Sequence, residues 1–316
     1  MGCRTRVIAN VNGPAVTDGR GNLSFTSINL PRLGIRAGGD MALFWRYLDE
    51  TLDFAMGQLM TRYDLQKNLR VEDFPFLMGQ QLYMDSEKLK PGDIIEPAVK
   101  HGTLTLGFIG LAECLVALTG FHHGQNQSSQ ALGISIVSHM RRRCDEASKK
   151  HSLNFSLLAT PAEQLSGKFT ILDVERYGEI EGVTDKTWYT NSFHVPVEYE
   201  ITALDKIAVE GPYHKYCNAG HISYVELESA PGQNIEAYER LIRAMADADM
   251  GYGAVNFPVD ICRECGTSGL INEAKCTNCG SENISRVRRI TGYLSTLDRF
   301  NDFKLDEEKH RLKHDE

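Results

Sequence analysis

Several features that mark other protein classes are missing from this sequence of 316 residues. It has no run of about 18 apolar residues, so we expect no membrane-spanning helix. Its first residues lack the apolar core of a secretory signal peptide. No basic tract stands out and the formal net charge is −8, which argues against binding to nucleic acid or to an anionic membrane. A glycine-rich P-loop, internal repeats and low-complexity tracts are also absent.

The composition is typical of a soluble globular protein, with 42% hydrophobic and 24% charged residues. Eight cysteines without a signal peptide favour a reducing compartment, and we therefore expect a cytoplasmic protein. In such a compartment cysteines act as metal ligands, as catalytic groups or as buried thiols.

Hydrophobic periodicity predicts strands that alternate with helices. Strands are expected at residues 23–30, 154–159, 195–201 and 222–228, and helices at residues 40–68, 103–119, 128–150 and 235–248 and from about residue 302. Asp40 is a suitable N-cap for the first of these helices. This alternation indicates an α/β fold with parallel strand pairing.

Four cysteines near the carboxyl end have the spacing of a metal site. Cys262 and Cys265 form one pair separated by two residues, and Cys276 and Cys279 form a second. Four thiolates can converge tetrahedrally on Zn²⁺, although rubredoxin-type iron uses the same ligands and two redox pairs are an alternative. Because all four positions would be filled by protein, the predicted zinc site is structural.

Residues 288–294 contain Gly292 between a threonine and a tyrosine. Such a glycine would ordinarily be interpreted as a turn. The segment, with Arg288 before it and Leu294 after it, resembles the radical-bearing motif of glycyl radical enzymes, in the version found in anaerobic ribonucleotide reductases. Glycine suits that role because an α-carbon radical is delocalised over the adjoining amide and carbonyl, and no side chain hinders the planar geometry. The resemblance implies a radical at Gly292.

Cys3 stands in a polar, glycine-flanked segment, which is a poor environment for a packed thiol. Residues 1–4 resemble the finger loop that lies inside the barrel of anaerobic ribonucleotide reductases. The resemblance implies that Cys3 carries a transient thiyl radical. Its S–H bond is comparable in strength to a ribose C–H bond, so hydrogen abstraction would be nearly reversible.

Further segments resemble the same family in the same order. They are residues 19–23, 29–32, 101–104, 107–113, 160–163, 189–196 and 218–226. The resemblance implies an α/β fold that is the carboxy-terminal half of a ten-stranded barrel, followed by a zinc ribbon and a glycyl radical loop. The expected regions are a catalytic core at 1–256, the ribbon at 257–282, and the loop with a terminal helix at 283–316.

Other polar residues are candidates with open alternatives. Asn22 is a candidate for binding ribose hydroxyls, with Asn29 as a second choice and a turn asparagine as the alternative. Glu163 either lines the ribose pocket or completes a capping box with Thr160. His194 and His221 are more simply interpreted as hydrogen-bonded structural histidines. The adjacent His122 and His123 are expected at the surface or behind the site, and the role of Cys217 stays open.

The resemblance implies reduction of ribonucleoside triphosphates to 2′-deoxyribonucleoside triphosphates. A radical-SAM activase would generate the Gly292 radical with its own S-adenosylmethionine and 4Fe–4S cluster, and formate or a dithiol protein would supply electrons. A homodimer is also implied. Because the sequence opens at the finger loop, we expect a fragment or one half of a split enzyme, which an amino-terminal half chain would complete. Alternatives are a pyruvate formate-lyase-like glycyl radical enzyme, an inactive fragment that needs such a partner, or a zinc-ribbon binding module.

Overall fold

The computed structural model describes residues 4–228, 232, 234–271 and 273–314. Cys3 therefore lies outside the described residues. The described chain is mixed α/β, as expected from the alternation of strands and helices. None of its helices combines the length and apolar character needed to cross a membrane.

A three-stranded parallel sheet forms the centre of the molecule. It consists of β1 (Asn22–Asn29), β2 (Thr103–Ile109) and β3 (Asn154–Ala159), in the order β1-β2-β3. Every residue of β2 and β3 is buried. Parallel neighbours need a crossover connection, and helices make those connections here.

The prediction of one helix over residues 103–119 was wrong for its first half. Residues Thr103–Ile109 form the central strand, and only Leu111–Thr119 is helical. Both faces of this strand are covered, so all of its residues are buried, Thr103 and Thr105 included, and most of them are apolar. A short apolar run of this kind cannot be told from a buried helix by periodicity.

The helices cover the sheet and lead into its strands. They are α1 (Leu30–Ala37), α2 (Met41–Lys67), α3 (Glu96–Val99), α4 (Leu111–Thr119), α5 (Gln127–His151), α6 (Gln164–Tyr177), α7 (Ala203–His214), α8 (Ile235–Asp247) and α9 (Asp302–His310). The Asp40 side chain accepts hydrogen bonds from the amides of Ala42 and Leu43, which confirms it as the N-cap of α2. The main hydrophobic core lies between the sheet and α2, α4 and α5.

Two further strands pair in parallel beside α7. They are β4 (Ser223–Glu226) and β5 (Gly253–Asn256). The strand predicted at residues 195–201 is not formed, because the chain turns there and Tyr199 donates its amide hydrogen to the carbonyl of Pro196. A proline within such a run cannot donate to a ladder.

The carboxy-terminal region contains a four-stranded antiparallel sheet. Its strands are β6 (Val259–Cys262), β7 (Ser268–Gly269), β8 (Ile284–Arg289) and β9 (Leu294–Thr296), in the order β7-β6-β8-β9. Strands of the predicted ribbon thus pair directly with strands of the predicted glycyl loop. The two regions therefore share one ladder of backbone hydrogen bonds.

The adjacent histidines between α4 and α5 were expected either at the surface or behind the site. His122 and His123 are both buried, and the His123 ring contacts the carbonyl of Phe193 at 2.8 Å. Burial lowers the pKa of His123 to about 3. Of the two positions expected for this pair, the surface was wrong, because the segment around Phe193 covers the loop. A position behind the site stays a prediction.

Candidate functional site

The four cysteines come together at one end of the antiparallel sheet. Their sulfur atoms lie within 4.8 Å of one another, and the Sγ–Sγ distances are 3.6 Å for Cys262 with Cys279 and for Cys265 with Cys276. Tetrahedral Zn²⁺ with Zn–S bonds of about 2.3 Å requires sulfur atoms roughly 3.8 Å apart. The donor set and its spacing therefore fit a structural zinc ion.

Each cysteine pair sits on a turn of the same form. Cys262 donates its amide hydrogen to the Thr267 carbonyl, and the amide of Gly266 donates back to the Cys262 carbonyl. Cys276 and Gly280 repeat both bonds in the second turn. Gly266 and Gly280 adopt left-handed φ values of 75° and 72°, which explains glycine after each pair. These repeated turns aim four thiols at one point.

Without a metal ion, the thiols of Cys265 and Cys279 differ in pKa. A hydrogen bond from Thr267 is the main cause that lowers the pKa of Cys265 to about 5. A backbone hydrogen bond from Ser281 favours the Cys279 thiolate, but contacts with the neighbouring sulfurs outweigh it and raise the pKa to about 12. A divalent cation would remove this conflict, because it favours the thiolate form at all four positions.

A buried carboxylate connects the ribbon to strand β8. Asp260 is fully buried on β6, where it accepts hydrogen bonds from Arg288 at 2.5 Å and from the amide of Ile271 at 3.0 Å. Arg286 lies 3.4 Å from the same carboxylate. Removing one partner of a buried ion pair typically costs about 3–5 kcal/mol. Arg288, the first residue of the motif around Gly292, therefore anchors the strand that leads into that motif.

Gly292 lies in a tight turn between β8 and β9. The turn is closed by a hydrogen bond from the Ile290 amide to the Tyr293 carbonyl at 3.0 Å. Ile290 and Thr291 are buried, whereas Gly292 is half-buried and Tyr293 is exposed. Gly292 thus lies between the buried and the exposed residues of the turn.

Two side chains hold the carbonyl oxygen that precedes Gly292. Arg4 is buried, and its Nη2 donates to the Thr291 oxygen at 2.8 Å. The Tyr224 hydroxyl, on β4, donates to the same oxygen. Arg4 directly follows Cys3, and Thr291 directly precedes Gly292. This contact brings together the two segments in which the radical residues were predicted.

The backbone after Cys3 is attached to the parallel sheet through residues 219 and 220. Arg6 donates its amide hydrogen to the Ala219 carbonyl at 2.6 Å, and Ala159 donates to the Gly220 carbonyl at 3.0 Å. A Cβ atom on Gly220 would lie 1.6 Å from the Arg4 carbonyl oxygen. Glycine is therefore required at this position for the segment to approach the sheet.

Glu163 faces the same turn from another side. It occupies the N-cap position of α6, but its side chain makes no capping bond, so the capping-box interpretation was wrong. Its carboxylate accepts from the Thr291 hydroxyl at 3.2 Å and from the Tyr293 hydroxyl at 3.4 Å. Glu163 thus contacts both residues that flank Gly292.

Asn22 lies far from this group. It begins β1 opposite Thr103, which pairs with Asn154, whereas Arg4 contacts Ala159 at the other end of β3. Five residues of strand separate these ends, or roughly 17 Å. Asn29, the second choice, caps α1 and donates to Asp173. The assignment of Asn22 to ribose binding stays a prediction.

The histidines near Arg4 are hydrogen-bonded, as expected. His194 contacts Glu210 at 3.3 Å, and His221 contacts the Cys217 carbonyl at 2.8 Å. Burial lowers the pKa of both rings, and the positive charge of Arg4 contributes in the same direction. These rings are therefore held in the neutral form beside a buried cation.

The carboxy-terminal segment contacts the end of β8, just before the turn that contains Gly292. Arg311 donates to the Arg289 carbonyl at 3.1 Å and forms ion pairs with carboxylates of α9 and β4. His314 exchanges backbone and ring hydrogen bonds with Glu226. These contacts hold the end of β8, whose residues are half-buried.

Sequence reasoning missed Arg4, Tyr224 and Asp260. Arg4 and Tyr224 do occur within segments that resemble the reductases, at residues 1–4 and 218–226. Their place within these segments is the feature of the sequence that could have identified them. Asp260 offered none, because a single acidic residue in a short strand is usually exposed.

Comparison with known proteins places the chain in a family. The family model for anaerobic ribonucleoside-triphosphate reductase matches residues 1–314. The chain belongs to this family. The anaerobic ribonucleoside-triphosphate reductase of Escherichia coli K12 is 38% identical over 334 residues, covering 99% of this chain and 46% of that protein. The enterobacteria phage T4 protein of the same name is 35% identical over 331 residues, covering 99% and 52%.

The chain thus spans about half the length of these reductases. Solved structures support the fold at low sequence identity. An anaerobic ribonucleotide reductase superposes with a TM-score of 0.78 at 19% identity, covering 94% of this chain and 46% of that one. The Thermotoga maritima enzyme, crystallised with MES in its active site, gives a TM-score of 0.74 at 19% identity and covers 94% and 47%.

Proposed function

We propose that this chain is the catalytic, carboxy-terminal portion of an anaerobic ribonucleoside-triphosphate reductase, with a radical at Gly292 and a thiyl at Cys3. The observation that carries the proposal is the hydrogen bond from Arg4 to Thr291. It joins the residue after Cys3 to the residue before Gly292. Family membership supports the reaction class, and this contact supports the pairing of the two residues.

The proposed reaction is a sequence of hydrogen-atom transfers. The Gly292 α-carbon radical takes the hydrogen atom of the Cys3 thiol, which leaves a C–H bond at Gly292 and a thiyl at Cys3. The thiyl then takes the 3′-hydrogen of the ribose, and the 2′-hydroxyl departs as water after accepting a proton. Formate or a dithiol protein supplies two electrons, and with a proton these place a hydrogen at C2′ where the hydroxyl was. The 3′-hydrogen returns from Cys3, and the resulting thiyl takes a hydrogen atom back from Gly292, which restores the radical there.

Zinc has a structural role in this proposal. Cys262, Cys265, Cys276 and Cys279 would hold it, and four thiolates leave no position for substrate. The ion fixes the ribbon, and the Asp260–Arg288 pair extends that order into the strand before Gly292. No reaction step passes through the metal.

The proposal also includes components that lie outside this chain, which spans about half the length of its relatives. The portion that they carry beyond this chain would complete the ten-stranded barrel and hold effector sites. A radical-SAM activase, with S-adenosylmethionine and a 4Fe–4S cluster, would install the radical, and the complete enzyme would be a cytoplasmic homodimer. The division into a core, a ribbon and a glycyl loop, and the assignment of Asn22 and Glu163 to substrate binding, belong to this proposal.

The test is deoxyribonucleotide formation by the complete enzyme, in which this chain is joined to or supplied with that portion. Cys3→Ser should abolish turnover and leave the Gly292 radical intact, because an O–H bond is too strong for ready abstraction. The matched control is Cys144→Ser, at a buried thiol of α5. Turnover by Cys3→Ser at the wild-type rate would refute the thiyl. Turnover by this chain alone would refute the need for a partner portion.

A further inference from the structure

The environment of Arg4 is unusual for a buried guanidinium. Arg4 is only 3% exposed, yet among the described residues no carboxylate lies within ion-pairing distance of it. Its partners are carbonyl oxygens, with Thr291 at 2.8 Å and Ala159 at 3.5 Å. A buried cation without a counter-ion is costly. A purely structural explanation is therefore weak.

The oxygen that Arg4 holds belongs to the peptide unit of Gly292. A peptide unit is planar, and its plane contains the carbonyl oxygen of one residue together with the nitrogen and α-carbon of the next. Holding the Thr291 oxygen therefore fixes the Gly292 α-carbon. Tyr224 holds the same oxygen from β4, and Glu163 holds the Thr291 hydroxyl.

The other end of the Arg4 side chain is equally constrained. Arg4 directly follows Cys3 in the chain. Its backbone is packed against Gly220, where no side chain would fit. One side chain thus connects the neighbour of Cys3 to the neighbour of Gly292.

We propose that Arg4, assisted by Tyr224, is a positioning residue that sets the distance for hydrogen transfer between Gly292 and Cys3. This inference rests on the proposed function, because it assumes those two radical sites. Arg4 does not exchange hydrogen itself. It acts through the Thr291–Gly292 peptide, and a charge-assisted hydrogen bond is strong enough to hold that peptide in place.

The experiment uses the complete enzyme with its activase. Radical content is measured by electron paramagnetic resonance, and kcat is expressed per radical. A misplacement of about 1 Å can cost roughly 10²-fold in rate, so Arg4→Ala should lower kcat per radical by about that factor. Radical content and the KM for nucleotide should not change. Arg4→Lys should recover part of the rate, and Tyr224→Phe should lose about 5-fold, because one hydrogen bond is removed.

The matched control is Arg6→Ala. Arg6 lies two residues along the same segment, and its exposed side chain contacts His221 instead of the turn. Its rate per radical should equal that of the wild type. A fold defect would instead lower the radical content and leave the rate per radical unchanged.

Three outcomes would overturn the inference. They are a wild-type rate per radical in Arg4→Ala, a change confined to KM, and an equal loss in Arg6→Ala. If Arg4→Ala takes up no radical, its rate per radical cannot be measured, and the Tyr224→Phe variant provides the test instead. A wild-type rate per radical in Tyr224→Phe would then overturn the inference. Failure of the proposed function is distinguishable, since Cys3→Ser would then turn over or the wild type would carry no Gly292 radical.

Discussion

Replacing Gly220 with alanine tests how closely the segment after Cys3 must approach the sheet. The new Cβ would lie 1.6 Å from the Arg4 carbonyl oxygen and 3.0 Å from the Thr5 α-carbon. Ordinary carbon–oxygen contacts are about 3.3–3.6 Å, so the two backbones must separate by about 1.7 Å or more. The φ of 140° adds backbone strain of about 1–3 kcal/mol.

That separation would break the bond from the Arg6 amide to Ala219 and displace Arg4 from Thr291. We expect kcat per Gly292 radical to fall by at least about 10²-fold, with the zinc content unchanged. Activity and radical content are measured on the complete enzyme.

The matched control is Gly120→Ala. Gly120 has a left-handed φ of 83°, but a Cβ there would meet no atom within 4 Å. Its variant should lose some stability and keep its rate per radical. A wild-type rate in Gly220→Ala, or an equal loss in Gly120→Ala, would refute the reasoning.

Two further predictions concern the metal and the buried histidines. Cys262→Ser should lose zinc and order in the ribbon, because metal binding and local folding are linked, whereas Cys144→Ser should keep about one zinc per chain by metal analysis; stoichiometric zinc in Cys262→Ser would contradict the site. Burial lowers the pKa of four histidines to about 3 or 4. They are His122, His123, His214 and His314. The unfolded chain binds protons below about pH 6.5 that the fold excludes, so stability is complete above that pH and is lost as pH falls towards 4. Denaturant unfolding of this chain, with zinc retention checked, should lose up to about 5 kcal/mol between pH 7.5 and 5.5; equal stability at both values would contradict the neutral state of these rings.

Local features of the molecule could be predicted from sequence. The spacing of four cysteines, each pair followed by glycine, determines both turns of the ribbon, because every bond that closes them lies within six residues. The N-cap of α2 is equally local, since the Asp40 side chain accepts hydrogen bonds from the amides two and three residues further along the chain. Strand β1 was predicted within one residue at each end. In each of these cases the interacting groups are near neighbours in the chain.

Contacts between distant segments could not be predicted. Arg4 and Thr291 are 287 positions apart, and nothing in either residue indicates the other. The need for glycine at position 220 depends on a backbone that passes from elsewhere in the chain. The capping-box prediction at Glu163 failed for the same reason, because its carboxylate is engaged by Thr291 and Tyr293. Resemblance identified the segments, and only the fold shows how they touch.

The most direct test of the radical assignment is the site of cleavage by oxygen. The activated complete enzyme should show an electron paramagnetic resonance doublet, split by the single remaining α-hydrogen of Gly292. Exposure to air should then cut the backbone at that residue, because dioxygen adds to a carbon radical, and mass spectrometry should find a fragment of the last two dozen residues or so. Gly292→Ala should show neither signal nor cleavage. A radical on another residue, or cleavage elsewhere in the chain, would contradict the account.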